Sequence, residues 1–147
     1  MQIYIDADGS PVVNETIHLA KKYQLNVTVV KNYAHHIEDD YAKIISVDVE
    51  NDSADYYITN HLEEGDIVVT QDYGLAMLAL TRKAYPIHQS GKVFNDNNIH
   101  TYLERRHVHS QMRKAGQRHK GPKKRTKKDD IDFRHALESL IISLKNK

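Results

Sequence analysis

The sequence of 147 residues predicts a doubly wound α/β domain in three layers, a mainly parallel central sheet flanked by helices. Three observations lead there. Apolar runs of strand length alternate with segments whose apolar residues recur at helical spacing, acidic residues stand just after the apolar runs, and the length suits one domain.

The first strand is QIYI at 2–5, β-rich and ended by Asp6. A helix follows: Ser10 is a good N-cap, Pro11 suits the first helical position, and Val13, Ile17 and Ala20 form a stripe widened by Val12, Leu19 and Tyr23. LNVTVV at 25–30 is the next strand, which completes a βαβ unit with a right-handed crossover. Asn32 to Asp40 is a polar loop. IISVDV at 44–49 has the β-branched enrichment of a third strand. Asn51, Asp52 and Ser53 then supply caps for a helix with Ala54, Tyr57, Ile58 and Leu62 on one face, closed by Gly65. DIVVT at 66–70 is a continuous apolar run suited to a parallel strand buried on both faces, and Asp72 follows it. Leu75, Ala76, Leu78 and Ala79 give a short apolar helix reaching Arg82. Tyr85–His88 is a weak edge strand, where Pro86 is tolerable.

After residue 100 the chain changes character. Residues 1–100 hold 15 acidic and 7 basic side chains, residues 101–128 hold 1 and 11, and residues 129–147 hold 4 and 3. One domain is therefore divided into an α/β body (1–100), a basic helix and loop (101–128) and a C-terminal helix (129–147). The helix from Asn98 to Ala115 becomes increasingly charged, and AGQRHKGPKKRTKK at 115–128 reads as a loop. Asp129 and Asp130 suit a helix N-terminus, and Phe133, Leu137, Leu140, Ile141 and Leu144 form a stripe that docks on the body. Charge asymmetry of this kind points to a polyanionic partner, nucleic acid. The candidate phosphate contacts are Arg105, Arg106, Arg113, Lys114, Arg118, Lys120, Lys123, Lys124 and Arg125. No aromatic residue interleaves the 115–128 loop, so backbone contact without base reading is expected.

The absence of cysteine excludes disulfide scaffolds, thiolate zinc sites, iron–sulfur clusters and cysteine nucleophiles. MQIYIDADGS lacks the basic start of a secretory signal, and no segment approaches the ~20 apolar residues of a membrane span. A soluble, cytoplasmic protein is expected, with no membrane partner.

In an open parallel sheet the carboxyl ends of the strands converge on one crevice. Asp6 and Asp8 follow the first strand, Asp52 and Asp55 open the helix after the third, and Asp72 follows the 66–70 strand. Gathered carboxylates repel and call for a cation between them. Oxygen-only ligation favours Mg²⁺ or Mn²⁺, so these five acids are the candidate metal ligands. Asp6, Asp8, Asp55 and Asp72 are the candidate catalytic residues, and the chemistry suggested is phosphodiester hydrolysis. Each acid also has a local reading: Asp8 satisfies loop amides, Asp52 is an N-cap, and Asp72 caps the helix starting near Tyr73. His35, His36, His107 and His109 lack the i,i+4 spacing of helical metal ligands and read as surface residues. Ser10 has no evident base beside it.

YIDADGSPVV (4–13), DSADYYI (52–58), EGDIVVTQDYGLA (64–76), GKVFNDNNI (91–99) and KGPKKRTKKDDIDF (120–133) resemble, in order, the YaiI/YqxD family of bacterial proteins. The family is placed near PIN-like domains, so the resemblance implies a PIN-like fold and a Mg²⁺- or Mn²⁺-dependent nuclease that cleaves RNA. It assigns Asp6 as the first-strand acid, Asp8 as the second acid of D-A-D, Asp72 as the acid of T-x-D, and Asp52 with Asp55 as the acidic helix. Homodimers are common among PIN-like domains. The sequence departs at Gly9–Ser10, where the family commonly has Ala-Cys, and at Tyr73–Gly74–Leu75, where PIN nucleases often carry another acid. Two alternatives remain open. DADGS also resembles the D-x-D-x-[ST] signature of haloacid-dehalogenase-type phosphatases, with Asp6 as nucleophile, although Gly65–Asp66 precedes a strand where that superfamily's Gly-Asp follows one. The basic segment alone would serve a non-catalytic RNA- or ribosome-binding protein.

Overall fold

A computed structural model describes residues 1–32, 36–48, 53–114, 116 and 124–147. The elements are β1 (Gln2–Asp6), α1 (Val13–Lys22), β2 (Asn26–Asn32), β3 (Lys43–Val47), α2 (Ser53–His61), β4 (Ile67–Val69), α3 (Tyr73–Thr81), β5 (Tyr85–Ile87), α4 (Ile99–Lys114) and α5 (Lys127–Lys145). The five strands pair in the order β3-β2-β1-β4-β5, and every ladder is parallel. An isolated antiparallel bridge joins Ile87 to Val93.

The period-2 alternation of side chains splits the apolar residues between two faces. Ile3 and Ile5, Val27 and Val29, and Ile67 and Val69 share one core with Val12, Ile17 and Ala20 beside α1 and with Phe133, Leu137 and Ile141 of α5. Tyr4, Val30 and Val68 share the other with Ile58 and Leu62 beside α2 and with Leu75 and Ala79 of α3. Burial on both faces explains why β4 reads as an unbroken apolar run. Pro86 lies in β5, an edge strand, where a missing N–H is tolerated. On the outer side of α3, Ala76, Phe94 and Ile99 form a small cluster that seats α4. No helix among the described residues is long and apolar enough to cross a membrane.

The chain builds outward from β1 to β2 and β3, then returns to β1's other edge with β4 and β5. That reversal leaves a topological switch point at the carboxyl ends of β1 and β4.

Three helix boundaries differ by two residues or more from the sequence expectation, and β2 runs past Val30 to Asn32, the residue expected to open the loop. α1 starts at Val13 after an N-cap at Val12, so Ser10 does not cap it and Pro11 precedes it. Val12 is 0% exposed, and its carbonyl accepts both the N–H and the hydroxyl of Thr16, so core packing sets where helical bonding begins. Among the described residues the Ser10 hydroxyl receives only the Val12 N–H, at 3.4 Å. α2 ends at His61, ahead of Gly65, which stands at φ +90° in the turn into β4. That turn is fixed by Asp66, whose carboxylate accepts the N–H groups of Gln2 at 2.9 Å and Glu63 at 2.8 Å. α5 begins at Lys127, two residues before Asp129, because Thr126 and Asp129 form a capping box. Most of the expected 115–128 loop lies outside the described residues.

Leu137 is fully buried where α5 meets the sheet. Leu137→Ala is expected to lower the free energy of unfolding by about 2–5 kcal/mol, measured by urea denaturation.

Candidate functional site

β1 ends on Asp6, and the neighbouring strand β4 runs directly into Thr70. The Thr70 hydroxyl donates to Asp6 Oδ2 at 2.9 Å and accepts the N–H of Asp72 at 3.0 Å. Asp72 is the N-cap of α3: its Oδ1 accepts the N–H groups of Gly74 at 2.8 Å and Leu75 at 3.3 Å. A Cβ on residue 74 would stand 3.2 Å from Asp72 Oδ1, so glycine leaves room for the cap. One run of hydrogen bonds thus leads from Asp6 through Thr70 to the first turn of a helix.

Asp8 sits on the adjoining loop. Its Oδ1 accepts the N–H of Asn32, the last residue of β2, at 3.2 Å, and its carbonyl accepts Gln71 Nε2 at 3.3 Å. Gly9 makes the second contact possible. Its φ of +73° is the left-handed region, and a Cβ there would approach Gln71 Nε2 to 3.0 Å. The loop is tied further by Ala7 N–H to Val30 O and Ser10 N–H to Ala7 O, both 3.0 Å.

Asp6, Asp8 and Asp72 therefore stand around the carboxyl edge of the sheet at the switch point, near enough for the charges of Asp72 and Asp8 to act on Asp6. Burial pushes the Asp6 carboxyl up to about 6. The charges of Asp72 and Asp8 push the same way, while the Thr70 hydrogen bond opposes them.

The local readings of Asp72 and Asp8 also hold in part: Asp72 is a helix cap, and Asp8 binds a backbone amide, one from β2 rather than from its own loop. Asp55 lies half-buried in the first turn of α2, and Asp52 lies outside the described residues. Among the described residues no group of three or more His, Asp or Glu side chains is arranged to hold a metal ion. His36 is exposed and pairs with Glu38 at 3.1 Å.

Of the basic residues, Arg105, Arg106, Arg113 and Lys114 ride on α4, whereas Arg118, Lys120 and Lys123 lie outside the described residues. Arg105 is exposed, with its guanidinium 5.6 Å from the ring centre of Tyr102. Lys124 is exposed. Arg125 braces the fold. It donates to Asp130 Oδ1 at 2.7 Å and to the Gln89 carbonyl at 3.0 Å, joining the start of α5 to the end of β5.

Two residues on this edge had no role in the sequence reading. Lys31 is 7% exposed at the end of β2, beside the Asn32 that binds Asp8, and its Nζ donates to the Asn32 carbonyl at 3.3 Å. A lone charge in the apolar stretch NVTVVKN was the available signal. His88 follows β5; burial, then the Arg125 charge, pushes its imidazole below the usual range. Its Nδ1 accepts the Ser90 N–H at 3.1 Å, which leaves the ring proton on Nε2.

Residues 4–143 match a protein-family model whose description is "Uncharacterized BCR, YaiI/YqxD family". A UPF0178 protein of Alkaliphilus oremlandii is 44% identical over 149 residues, covering 99% of this chain and 96% of the relative. One from Natranaerobius thermophilus is 42% identical with 99% of both chains covered, and one from Exiguobacterium sibiricum is 47% identical with 96% of both covered. No solved structure matches significantly.

A carboxyl whose folded pKa is raised binds its proton more tightly in the folded state, so its ionisation opposes folding. The penalty is absent below about 3.8, grows as pH rises towards 6, and is complete above it. Asn in place of Asp6 keeps an acceptor for Thr70 and removes the charge. Asp6→Asn is expected to be more stable than the native chain by ~2–3 kcal/mol at pH 8, with the gap closing towards pH 4, read from urea unfolding across pH. A gap independent of pH would contradict this account.

Proposed function

This chain belongs to the YaiI/YqxD family, and we propose that it is a divalent-metal-dependent phosphodiesterase of PIN-like type acting on nucleic acid, RNA in particular. The observation that carries the reading is the placement of Asp6, Asp8 and Asp72 around the switch point, with Asp6 raised to about 6. Asp66 shows the contrast. It is 3% exposed at the opposite end of the sheet, and each of its oxygens accepts a backbone N–H. Asp6 accepts one hydroxyl and faces two further carboxylates.

Burial of like charges is relieved by a hard cation, and the donors fit Mg²⁺ or Mn²⁺ in kind, being carboxylate oxygens. Asp6, Asp8 and Asp72 would have to turn towards a common point to hold it, since they are not so arranged as they stand, and the family resemblance assigns Asp55 and Asp52 as further ligands. Mg²⁺ and Mn²⁺ keep water and substrate phosphate oxygens in their shell, so not all of these acids need ligate at once. When bound, such an ion activates water and neutralises charge on a phosphoryl group. The chain's own part is positioning. Thr70 fixes the rotation of Asp6, the Gly74 and Leu75 N–H groups fix Asp72, and Asn32 fixes Asp8. With Tyr73, Gly74 and Leu75 after Asp72, the acid count favours a single cation. The exposed Arg105 and Lys124 would lie along the phosphate backbone.

Labelled RNA incubated with Mn²⁺ or Mg²⁺ is expected to be cleaved by the native chain and at least about 10²-fold more slowly by Asp6→Asn. Equal rates in the two would overturn the proposal. RNA binding without cleavage would favour the non-catalytic reading. Arg105→Ala and Lys124→Ala are each expected to reduce the slope of log affinity against log salt by about 0.7 for single-stranded RNA. Arg125→Ala is expected to lower stability and leave that slope unchanged.

A further inference from the structure

Between β2 and β3 no helix occurs among the described residues, so on the α2 side those two strands have no crossover helix of their own to cover them. A cavity of about 400 Å³ opens there, near the amino ends of the strands, within the size range of small-molecule sites. It is remote in the topology from the carboxylates, which stand at the opposite edge of the sheet.

Tyrosine rings wall it. The Tyr4 hydroxyl donates to the His61 carbonyl at 3.2 Å, and the Tyr41 hydroxyl donates to the Leu25 carbonyl at 2.5 Å. Tyr57 stacks on His61 with ring centres 4.0 Å apart and planes within 19°, and His61 Nδ1–H donates to the Tyr57 carbonyl at 2.8 Å. The hydroxyls of Tyr4 and Tyr41 are thus committed to the protein, and these walls offer the cavity their ring surfaces.

The floor differs. Thr28 stands opposite Tyr4 in the ladder and lines the cavity, and its hydroxyl, with no protein partner among the described residues, is open to it. Beside it, the Asn26 amide and the Lys43 ammonium also lack protein partners among the described residues. On the β3 side of the cavity, Lys43 supplies a positive charge.

We propose that this cavity binds a planar aromatic ring carrying an anionic group, the chemistry of a nucleoside monophosphate. The ring lies against Tyr41 and Tyr57, its polar edge meets Thr28 and Asn26, and the anion sits at Lys43. The proposal stands apart from the phosphodiesterase reading and uses none of its residues.

Titration of the ¹⁵N-labelled full chain with AMP tests it, with adenosine, inorganic phosphate and 4-hydroxybenzoate as parallel arms. AMP is expected to shift the amide signals of Asn26, Thr28 and Lys43, and adenosine and phosphate to bind at least about 10-fold more weakly. Thr28→Val keeps the shape and removes the hydroxyl, and should weaken AMP by about 5–10-fold. Lys43→Gln, at an exposed position that leaves the core intact, should weaken AMP but not adenosine. Asp6→Asn should leave AMP binding unchanged. Saturation by 4-hydroxybenzoate in place of AMP would keep the class and assign an aromatic acid as its source. Silence of these amides in 10 mM AMP and 4-hydroxybenzoate, equal binding of bare phosphate, or indifference to both substitutions would overturn the proposal.

Discussion

β1 must be paired along both edges, by β2 on one side and β4 on the other, and both pairings are parallel. Parallel pairing makes each connection cross over the sheet, and reversal of the winding at β1 sends α1 to one face and α2 and α3 to the other. The two cores, the docking of α5 beside α1 and the perch of α4 on α3 all follow from that arrangement. So does the position of Asp6, which emerges at the strand ends where the winding reverses.

That position sets stability against charge. A carboxyl held among apolar strand ends, with two others beside it, resists ionisation, and the fold carries the penalty at neutral pH. The Thr70 hydroxyl eases it with a single bond. Asp66, more completely buried at the far end of the same sheet, joins two segments through its two oxygens. The same residue type at the two ends of one sheet thus does opposite work, holding the chain together at one and straining it at the other.

The element order was legible in the sequence because apolar runs and helical stripes record which surfaces are buried. IVV of β4 and the Phe133, Leu137 and Ile141 stripe are unambiguous in that sense. Boundaries were less so. Ser10–Pro11 carries a helix-start signature, but burial of Val12 decided the start, and burial of one residue is a tertiary fact. The same divide runs through the site. Asp6, Asp8 and Asp72 stood out as acids after apolar runs, while the Thr70 bridge and the hold of Asn32 on Asp8 depend on which strands are neighbours, and strand order leaves no mark in local pattern. The tyrosine-walled cavity was invisible for that reason too, since Tyr4, Tyr41 and Tyr57 come from three separate segments that only the strand order brings together.

The left-handed turn at Gly9 and the reach of Gln71 to the Asp8 carbonyl join the two acid-bearing loops to each other as well as to the sheet. Freedom that separate loops would surrender on meeting a ligand is here surrendered when the chain collapses. The entropy of association at this edge should accordingly reflect released water and counterions far more than immobilised backbone.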